Sequence, residues 1–249
     1  MMVRHTSRTL SLLLGVAVCC VATLQPATAA SRAERCASIK MRLAGSTVRT
    51  ILASCHARAV LRDPAQWLLF KCGPMGEGCH GHADQLQVLA RGRVTLLDPG
   101  TPTYNGDDAL RDASTATAAH NPVTVDGRSQ AERAARFRWG TRTDGAGLAL
   151  AEGGVRGQVR YGDVAHARRA RWDGRALVLH DDVACPGEHE VTASLLAPGP
   201  LRIEHDGWER VREEPATWSP VYADVRPAVR TVLRARMRDR FRGRIAIHG

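Results

Sequence analysis

A chain of 249 residues, 44% of them hydrophobic, is long enough to bury the core of one large domain or two modest ones. The formal net charge of +10 comes almost entirely from arginine, because Lys40 and Lys71 are the only lysines. Aromatic residues make up only 4% of the chain and do not alternate with basic ones, which argues against a nucleic-acid-binding platform. The arginine charge fits an acidic polysaccharide or an anionic membrane surface.

The first predicted element is a secretory signal peptide over residues 1–29. Arg4 and Arg8 form a basic start, a mostly apolar run covers residues 10–24, and Ala27-Thr28-Ala29 supplies the small residues of a cleavage site. A membrane anchor is the less favoured alternative, because the apolar run is short for a membrane span. We therefore expect an exported protein with no membrane span in its mature form, located in the periplasm, the cell envelope or outside the cell.

The next predicted element is a short helical lead over residues 30–58. Ser31-Arg32-Ala33-Glu34 fits a helix-capping box, and helix-favouring residues follow it. Gly45-Ser46 then interrupts the run before a second helical stretch over residues 47–58. Neither helix has a strong apolar face, so the lead cannot build a core by itself.

From residue 59 onward the pattern changes to many short strands. Short apolar runs are separated by turn signals, among them Pro99-Gly100, Asn105-Gly106, Asp126-Gly127 and Asp173-Gly174. Many short strands with turns at regular spacing are typical of an all-β sandwich. We predict one antiparallel β-sandwich over residues 59–249, preceded by the short N-terminal helical lead.

The cysteines do not form a disulfide framework. Of the seven cysteines, Cys19 and Cys20 lie in the predicted signal peptide, and the other five are Cys36, Cys55, Cys72, Cys79 and Cys185. An odd number at irregular spacing leaves at least one thiol unpaired or bound to a metal. Cys36–Cys55 and Cys72–Cys79 are two alternative disulfide bridges, and nothing in the sequence selects either.

Histidines spaced for a metal site follow the first strands. His80 and His82 stand at positions i and i+2, so on a strand their side chains point to the same face. Asp98 and His120 can complete a compact shell, and two imidazoles with one carboxylate leave an open coordination position that suits Zn²⁺. Cys79 is an alternative ligand, but on a strand its side chain would point away from this face.

Eight short motifs follow one another at residues 67–70, 73–78, 80–84, 97–101, 104–106, 117–121, 123–130 and 137–140. Among them are His80-Gly81-His82-Ala83-Asp84, Leu97-Asp98-Pro99-Gly100-Thr101 and Thr117-Ala118-Ala119-His120-Asn121. In this order they resemble the C-terminal domain of the heparinase II/III-like polysaccharide lyases, over roughly residues 59–245. The resemblance implies an antiparallel β-sandwich that follows a helical toroid domain, with the substrate cleft between the two.

The resemblance also implies roles for individual residues. His82, Asp98 and His120 match the positions that bind the metal, for which we expect Zn²⁺. His80 matches a histidine that faces the cleft, and Tyr104 lies in a motif near the same site, so these two are the catalytic candidates. The implied reaction is β-elimination on a uronic-acid-containing polysaccharide, in which a base removes the proton next to the carboxylate and an acid protonates the leaving oxygen.

Other side chains are weaker candidates. Asp84 or Asn121 could orient a ligand imidazole by hydrogen bonding. Arg128 or Arg138 could contact an acidic substrate, although most of the many arginines must be solvated. Glu77 and Asp84 could form an acid–base pair, but Glu77 lies in a glycine-rich loop.

Three functions compete on this basis. The first is a lyase of acidic polysaccharide, active at the cell envelope or outside the cell. The second is a non-catalytic metal-containing module that binds polysaccharide or docks on a separate helical toroid domain, or a truncated remnant of a lyase, since only residues 30–58 would precede the sandwich. The third is a cupin-like metal enzyme, which also uses His-x-His but places a glutamate a few residues later. Residues 85–90 contain no glutamate, which disfavours it.

Overall fold

The computed structural model describes residues 36–43, 46–53, 56–62, 65–73, 86–135, 138–141, 143, 145–151 and 153–249. The predicted signal peptide lies outside these residues, as do the site candidates His80 and His82 and their neighbours Glu77, Cys79 and Asp84. Within the described ranges, no helix is long and apolar enough to cross a membrane.

Strands dominate the described chain. They are β1 (Cys36–Leu43), β2 (Ser46–Ala53), β3 (His56–Arg62), β4 (Trp67–Cys72), β5 (Leu86–Arg91), β6 (Val123–Val125), β7 (Arg133–Ala135), β8 (Arg138–Trp139), β9 (Gly145–Ala151), β10 (Gly154–Tyr161), β11 (Val164–Asp173), β12 (Ala176–Ala197), β13 (Arg202–Asp206), β14 (Arg210–Trp218) and β15 (Arg226–His248). One helix, α1 (Asp108–Thr115), and a 3-10 turn (Thr117–Ala119) lie between β5 and β6.

The strands form two main sheets. The first has five strands in the order β1-β2-β3-β4-β5, and the second has β13-β15-β12-β11-β10-β9 with β6 paired to β12 and β14 to β15. Neighbouring strands in both sheets run antiparallel. The all-β antiparallel sandwich predicted from the spacing of the turns is therefore confirmed.

The helical lead predicted over residues 30–58 is wrong where the structure describes it, because β1, β2 and β3 occupy that segment. Ile39, Met41 and Leu43 alternate with Lys40 and Arg42, which is the period of a strand and not of a helix. Two-residue connections join β1 to β2 and β2 to β3, as in tight hairpins. Alanine, arginine and leucine favour a helix, but the pairing of β3 with β4 selects the strand conformation.

The core lies between the two sheets. Buried apolar side chains of β4 and β5 belong to one cluster with those of β10, β12 and β15. Gly157 on β10 is needed at this contact, since a Cβ there would lie 2.5 Å from Cys72 Sγ on β4. The Cys72 thiol is free and donates to the carbonyl oxygen of Ala146 at 3.1 Å, whereas Cys79 lies outside the described residues. Each fully buried Val, Leu, Ile or Phe stabilises such a core by about 1.5–3 kcal/mol.

A buried ion cluster joins β11 to β12 inside this core. Arg168 Nε donates to Asp181 Oδ1 at 2.7 Å and Arg168 Nη2 to Oδ2 at 3.1 Å, while His166 Nε2 lies 2.7 Å from Oδ1. All three side chains are fully buried. Burial would raise the pKa of the Asp181 carboxyl, but the Arg168 charge and the His166 hydrogen bond outweigh it and hold that pKa below its usual range.

Candidate functional site

Asp98 and His120, two of the predicted metal ligands, meet at the edge of the core. Asp98 Oδ2 lies 3.1 Å from His120 Nδ1, and Gln87 Nε2 on β5 donates to the same Asp98 oxygen at 2.7 Å. Gln87 Nε2 is also 3.2 Å from His120 Nδ1, so the imidazole nitrogen either donates to Asp98 or accepts from Gln87, depending on its tautomer. His120 is fully buried, whereas the Asp98 side chain is one-third exposed.

The turn that follows Asp98 fixes its carboxylate. Gly100 N donates to Asp98 Oδ1 at 2.8 Å, and Gly100 has a φ of +71°. A Cβ at Gly100 would lie 1.9 Å from the carbonyl oxygen of Ser219, and Ser219 N donates to Pro99 O at 2.8 Å. The positive φ and the close approach of Ser219 both require glycine at this position. The Asp-Pro-Gly turn therefore packs directly against the segment between β14 and β15.

Asn121 holds the neighbouring chain segments around His120. Its Nδ2 donates to Val88 O at 3.0 Å and to Leu97 O at 2.8 Å, and its Oδ1 accepts from Leu196 N at 2.7 Å. Its backbone carbonyl accepts from Arg168 Nη1. These bonds join β5, the segment before Asp98 and β12, so Asn121 supports the site through the backbone and not by bonding an imidazole.

The segment that carries Asp98 and His120 lies within the match to a known protein family. A family model described as Heparinase II/III-like, C-terminal, matches residues 57–211, which is more than half of the chain. The chain belongs to this family. The resemblance seen in the ordered motifs is thereby confirmed at the level of the domain.

Solved structures share the fold of this heparinase II/III-like domain. A heparinase III gene product has 17% sequence identity and a TM-score of 0.60, over 85% of this chain and 36% of that chain. The heparan sulfate lyase HepC from Pedobacter heparinus has 15% identity and a TM-score of 0.56, over 85% and 36% of the two chains. At these identities the likeness establishes the fold alone, and this chain spans little more than a third of either structure. Comparison with curated protein sequences gives no match.

The donors of the heparinase-like site fit a zinc ion as far as they are described. A carboxylate oxygen and an imidazole nitrogen are both ligand types that Zn²⁺ accepts. The third predicted ligand, His82, lies outside the described residues, and among those described no group of three metal-binding side chains occurs. The structure therefore brings Asp98 and His120 together, and the complete set with His82 stays a prediction.

Tyr104, the second catalytic candidate, stacks on Tyr222. The two rings are parallel within 19° and their centroids are 5.1 Å apart. Tyr222 and its neighbours Val221 and Val225 are exposed apolar side chains, and Tyr222 follows soon after Ser219, which holds the Asp98 turn. One segment between β14 and β15 thus supports both the turn after Asp98 and Tyr104. Tyr222 lies far downstream in the sequence, and no motif marked it.

A second constellation has the residue types of a nucleophilic triad, but its thiol is not accessible. Cys185 Sγ lies 3.3 Å from His189 Nε2, and His189 Nδ1 lies 2.6 Å from Asp126 Oδ2. The thiol is fully buried, burial raises its pKa, and Nε2 also lies 2.8 Å from the carbonyl oxygen of Pro186. Arg128 donates to this thiol and to Asp163, so Arg128 is held in a structural pair. This cluster lies at a β-bulge of β12, where its register against β15 shifts between Ala184 and Glu188.

The His189 bonds at this bulge predict a pH-dependent stability. The Pro186 carbonyl and the Asp126 carboxylate raise the pKa of His189, so its contribution is complete below about pH 6.5 and disappears as the pH rises through the folded-state pKa. We expect the difference in Tm between the wild type and His189→Gln to shrink from pH 6 to pH 9. Calorimetry across this range checks it, with His205→Gln on exposed β13 as the control. A constant difference for His189→Gln would contradict this role.

Proposed function

We propose that this heparinase-like domain forms the sandwich side of a lyase that cleaves uronic-acid-containing polysaccharide by β-elimination. The observation that carries the proposal is the Asp98–His120 pair, which two family motifs place 3.1 Å apart at the edge of the core. The names of two structural relatives, a heparinase III and a heparan sulfate lyase, support an acidic polysaccharide as the substrate class.

The chemistry assigns separate tasks to the candidate residues. In the proposed reaction His80 takes the proton next to the uronate carboxylate, a carbon–carbon double bond forms, and the bond to the glycosidic oxygen breaks. The Tyr104 hydroxyl protonates the leaving oxygen, and its stacking on Tyr222 holds the ring in place. His82, Asp98 and His120 would hold Zn²⁺, which when bound supplies positive charge and ties together the loops that shape the cleft.

We also propose that a helical domain completes the cleft, since this chain covers only 35–36% of the related structures. Residues 1–29 support export to the periplasm, the cell envelope or the outside of the cell. The limited coverage of the related structures also favours a second candidate function, a non-catalytic metal-containing module that binds acidic polysaccharide. The two candidates differ in whether the folded, zinc-loaded chain turns over any substrate.

A lyase assay on the exported chain separates these candidates. The ultraviolet absorbance of unsaturated uronate is followed with heparin, heparan sulfate, alginate, hyaluronan and polyglucuronate, each with Zn²⁺ present. We expect turnover of at least one substrate, reduced about 100-fold by Asp98→Asn and left unchanged by Asp173→Asn, a surface carboxylate on β11. Absence of turnover from folded, zinc-loaded protein, alone and with a family toroid domain added, would overturn the lyase proposal and leave a binding module or a catalytic remnant.

Zinc binding has its own test. His82→Ala and His120→Ala are each expected to lower the zinc content of the purified protein and its Tm together, because a bound metal stabilises the folded state. His205→Ala, which removes an exposed imidazole on β13, should change neither quantity. Zinc content that is unchanged in His82→Ala would remove this residue from the ligand set.

A further inference from the structure

A row of cationic side chains crosses the outer face of the second sheet. The strand register places Arg156 on β10 opposite Arg169 on β11, Arg169 opposite His180 on β12, and His180 opposite Arg244 on β15. Side chains directly opposite each other on paired strands share one face of the sheet. Because neighbouring strands are about 4.8 Å apart, the row extends about 14 Å across four strands.

This row lies on the other side of the sheet from Asp98 and His120. Arg168 and Asp181, next in sequence to Arg169 and His180, are fully buried and point into the core, where Arg168 donates to the Asn121 carbonyl. Alternation along a strand then directs the neighbouring Arg169 and His180 outward. There the row lines an open cleft of about 640 Å³, to which Gln158, Asp182, Asp206 and Arg242 also contribute.

The cleft carries more positive than negative charge. Asp182 is shared by Arg240 at 2.6 Å and Arg242 at 3.2 Å, so one carboxylate serves two guanidinium groups. Arg156 and Arg244 form no ion pair with any residue that the structure describes. Like charges on directly opposed positions destabilise a sheet. Burial and the nearby arginines also lower the pKa of His180, consistent with a positive potential here.

We propose that this cleft is a second binding site, which takes a sulfated or carboxylated polysaccharide chain across the strands. Guanidinium groups bind sulfate and carboxylate with two parallel hydrogen bonds, and a row of them fits an extended polyanion better than a single small anion. The cleft lining contains no phenylalanine, tyrosine or tryptophan, the large rings on which nucleic-acid bases usually stack. Binding here would hold the polymer on the protein independently of any cleavage at the Asp98–His120 site.

The test measures binding of a heparin octasaccharide to the full chain at fixed, near-physiological salt. The variant Arg156→Gln/Arg244→Gln is expected to weaken binding about tenfold. The control Arg212→Gln/Arg236→Gln removes the same charge from β14 and from another part of β15, and it should change affinity less than about twofold. Without ligand, the cleft variant should match or exceed the wild-type Tm, since it relieves repulsion within the row.

Three results would overturn the inference. Equal losses in the cleft and control variants would mean that net charge alone binds the octasaccharide. Single-stranded DNA of equal charge that binds as tightly, with the same dependence on Arg156 and Arg244, would remove the preference for polysaccharide. Loss of binding in Asp98→Asn with normal binding in the cleft variant would place the ligand at the candidate active site. Failure of the lyase assay alone affects none of these measurements.

Discussion

Replacement of Asp181 by asparagine is expected to lower the free energy of unfolding by about 3–5 kcal/mol. The Arg168 guanidinium would stay fully buried with no carboxylate beside it, and His166 would lose its partner at 2.7 Å. Denaturation by urea at neutral pH measures the loss. A protein that is insoluble on expression is the extreme form of the same result.

The adjacent carboxylate provides the control for Asp181→Asn. Asp182 is the next residue, but its side chain is one-third exposed and pairs with Arg240 and Arg242 at the surface. Asp182→Asn is therefore expected to cost less than about 1 kcal/mol. The double variant Arg168→Met/Asp181→Leu should recover much of the loss, because a buried ion pair can be replaced by apolar side chains of similar size. Equal losses for Asp181→Asn and Asp182→Asn would contradict this account.

Local patterns in the sequence predict the sandwich but not its first three strands. From residue 59 onward, short apolar runs between glycine turns gave the correct fold class because their period and spacing are visible within a few residues. In β1 the alternation of Ile39, Met41 and Leu43 with polar residues is equally visible, yet alanine, arginine and leucine favour a helix. The pairing of β2 with β3 and of β3 with β4 is the context that selects the strand.

The motifs predict which residues meet at the site but not what holds them. Asp98 and His120 were predicted from two motifs, and they are adjacent in the structure. Gln87 carries no motif, and it was missed although it donates to Asp98. Ser219 donates to the carbonyl oxygen of Thr101 from 118 residues away along the chain, and Leu196 donates to Asn121 from 75 residues away. Contacts over such separations depend on strand register, which the sequence pattern does not fix.

Register also separates the arginine that is buried in the core from those on the outer face of the sheet. In the sequence Arg168 and Arg169 are neighbours of one type, and composition gives no reason to distinguish them. Once β11 pairs with β12, Arg168 lies opposite Asp181 inside the core while Arg169 lies opposite His180 on the outer face. One dipeptide therefore supplies both the charge that anchors the Asn121 carbonyl and a member of the cationic row.

Asn121→Leu is expected to lower the free energy of unfolding by about 3 kcal/mol or more and to reduce zinc content with it. Leucine keeps the volume but leaves Val88 O, Leu97 O and Leu196 N without the bonds that asparagine makes to them. Each buried polar group left without a partner costs about 1–3 kcal/mol. The released segments carry Gln87 and Asp98, so the donors around His120 should no longer be held together.

Denaturation, zinc content and amide hydrogen exchange together test this role of Asn121. Exchange at Leu196 N should accelerate in Asn121→Leu, because its acceptor is removed. Asn105→Leu makes the same chemical change at an exposed turn and should leave all three quantities near the wild-type values. If Asn121→Leu lost stability while zinc content stayed normal, Asn121 would support the fold only. The Asp98–His120 site would then not depend on the hydrogen bonds that Asn121 makes to the neighbouring segments.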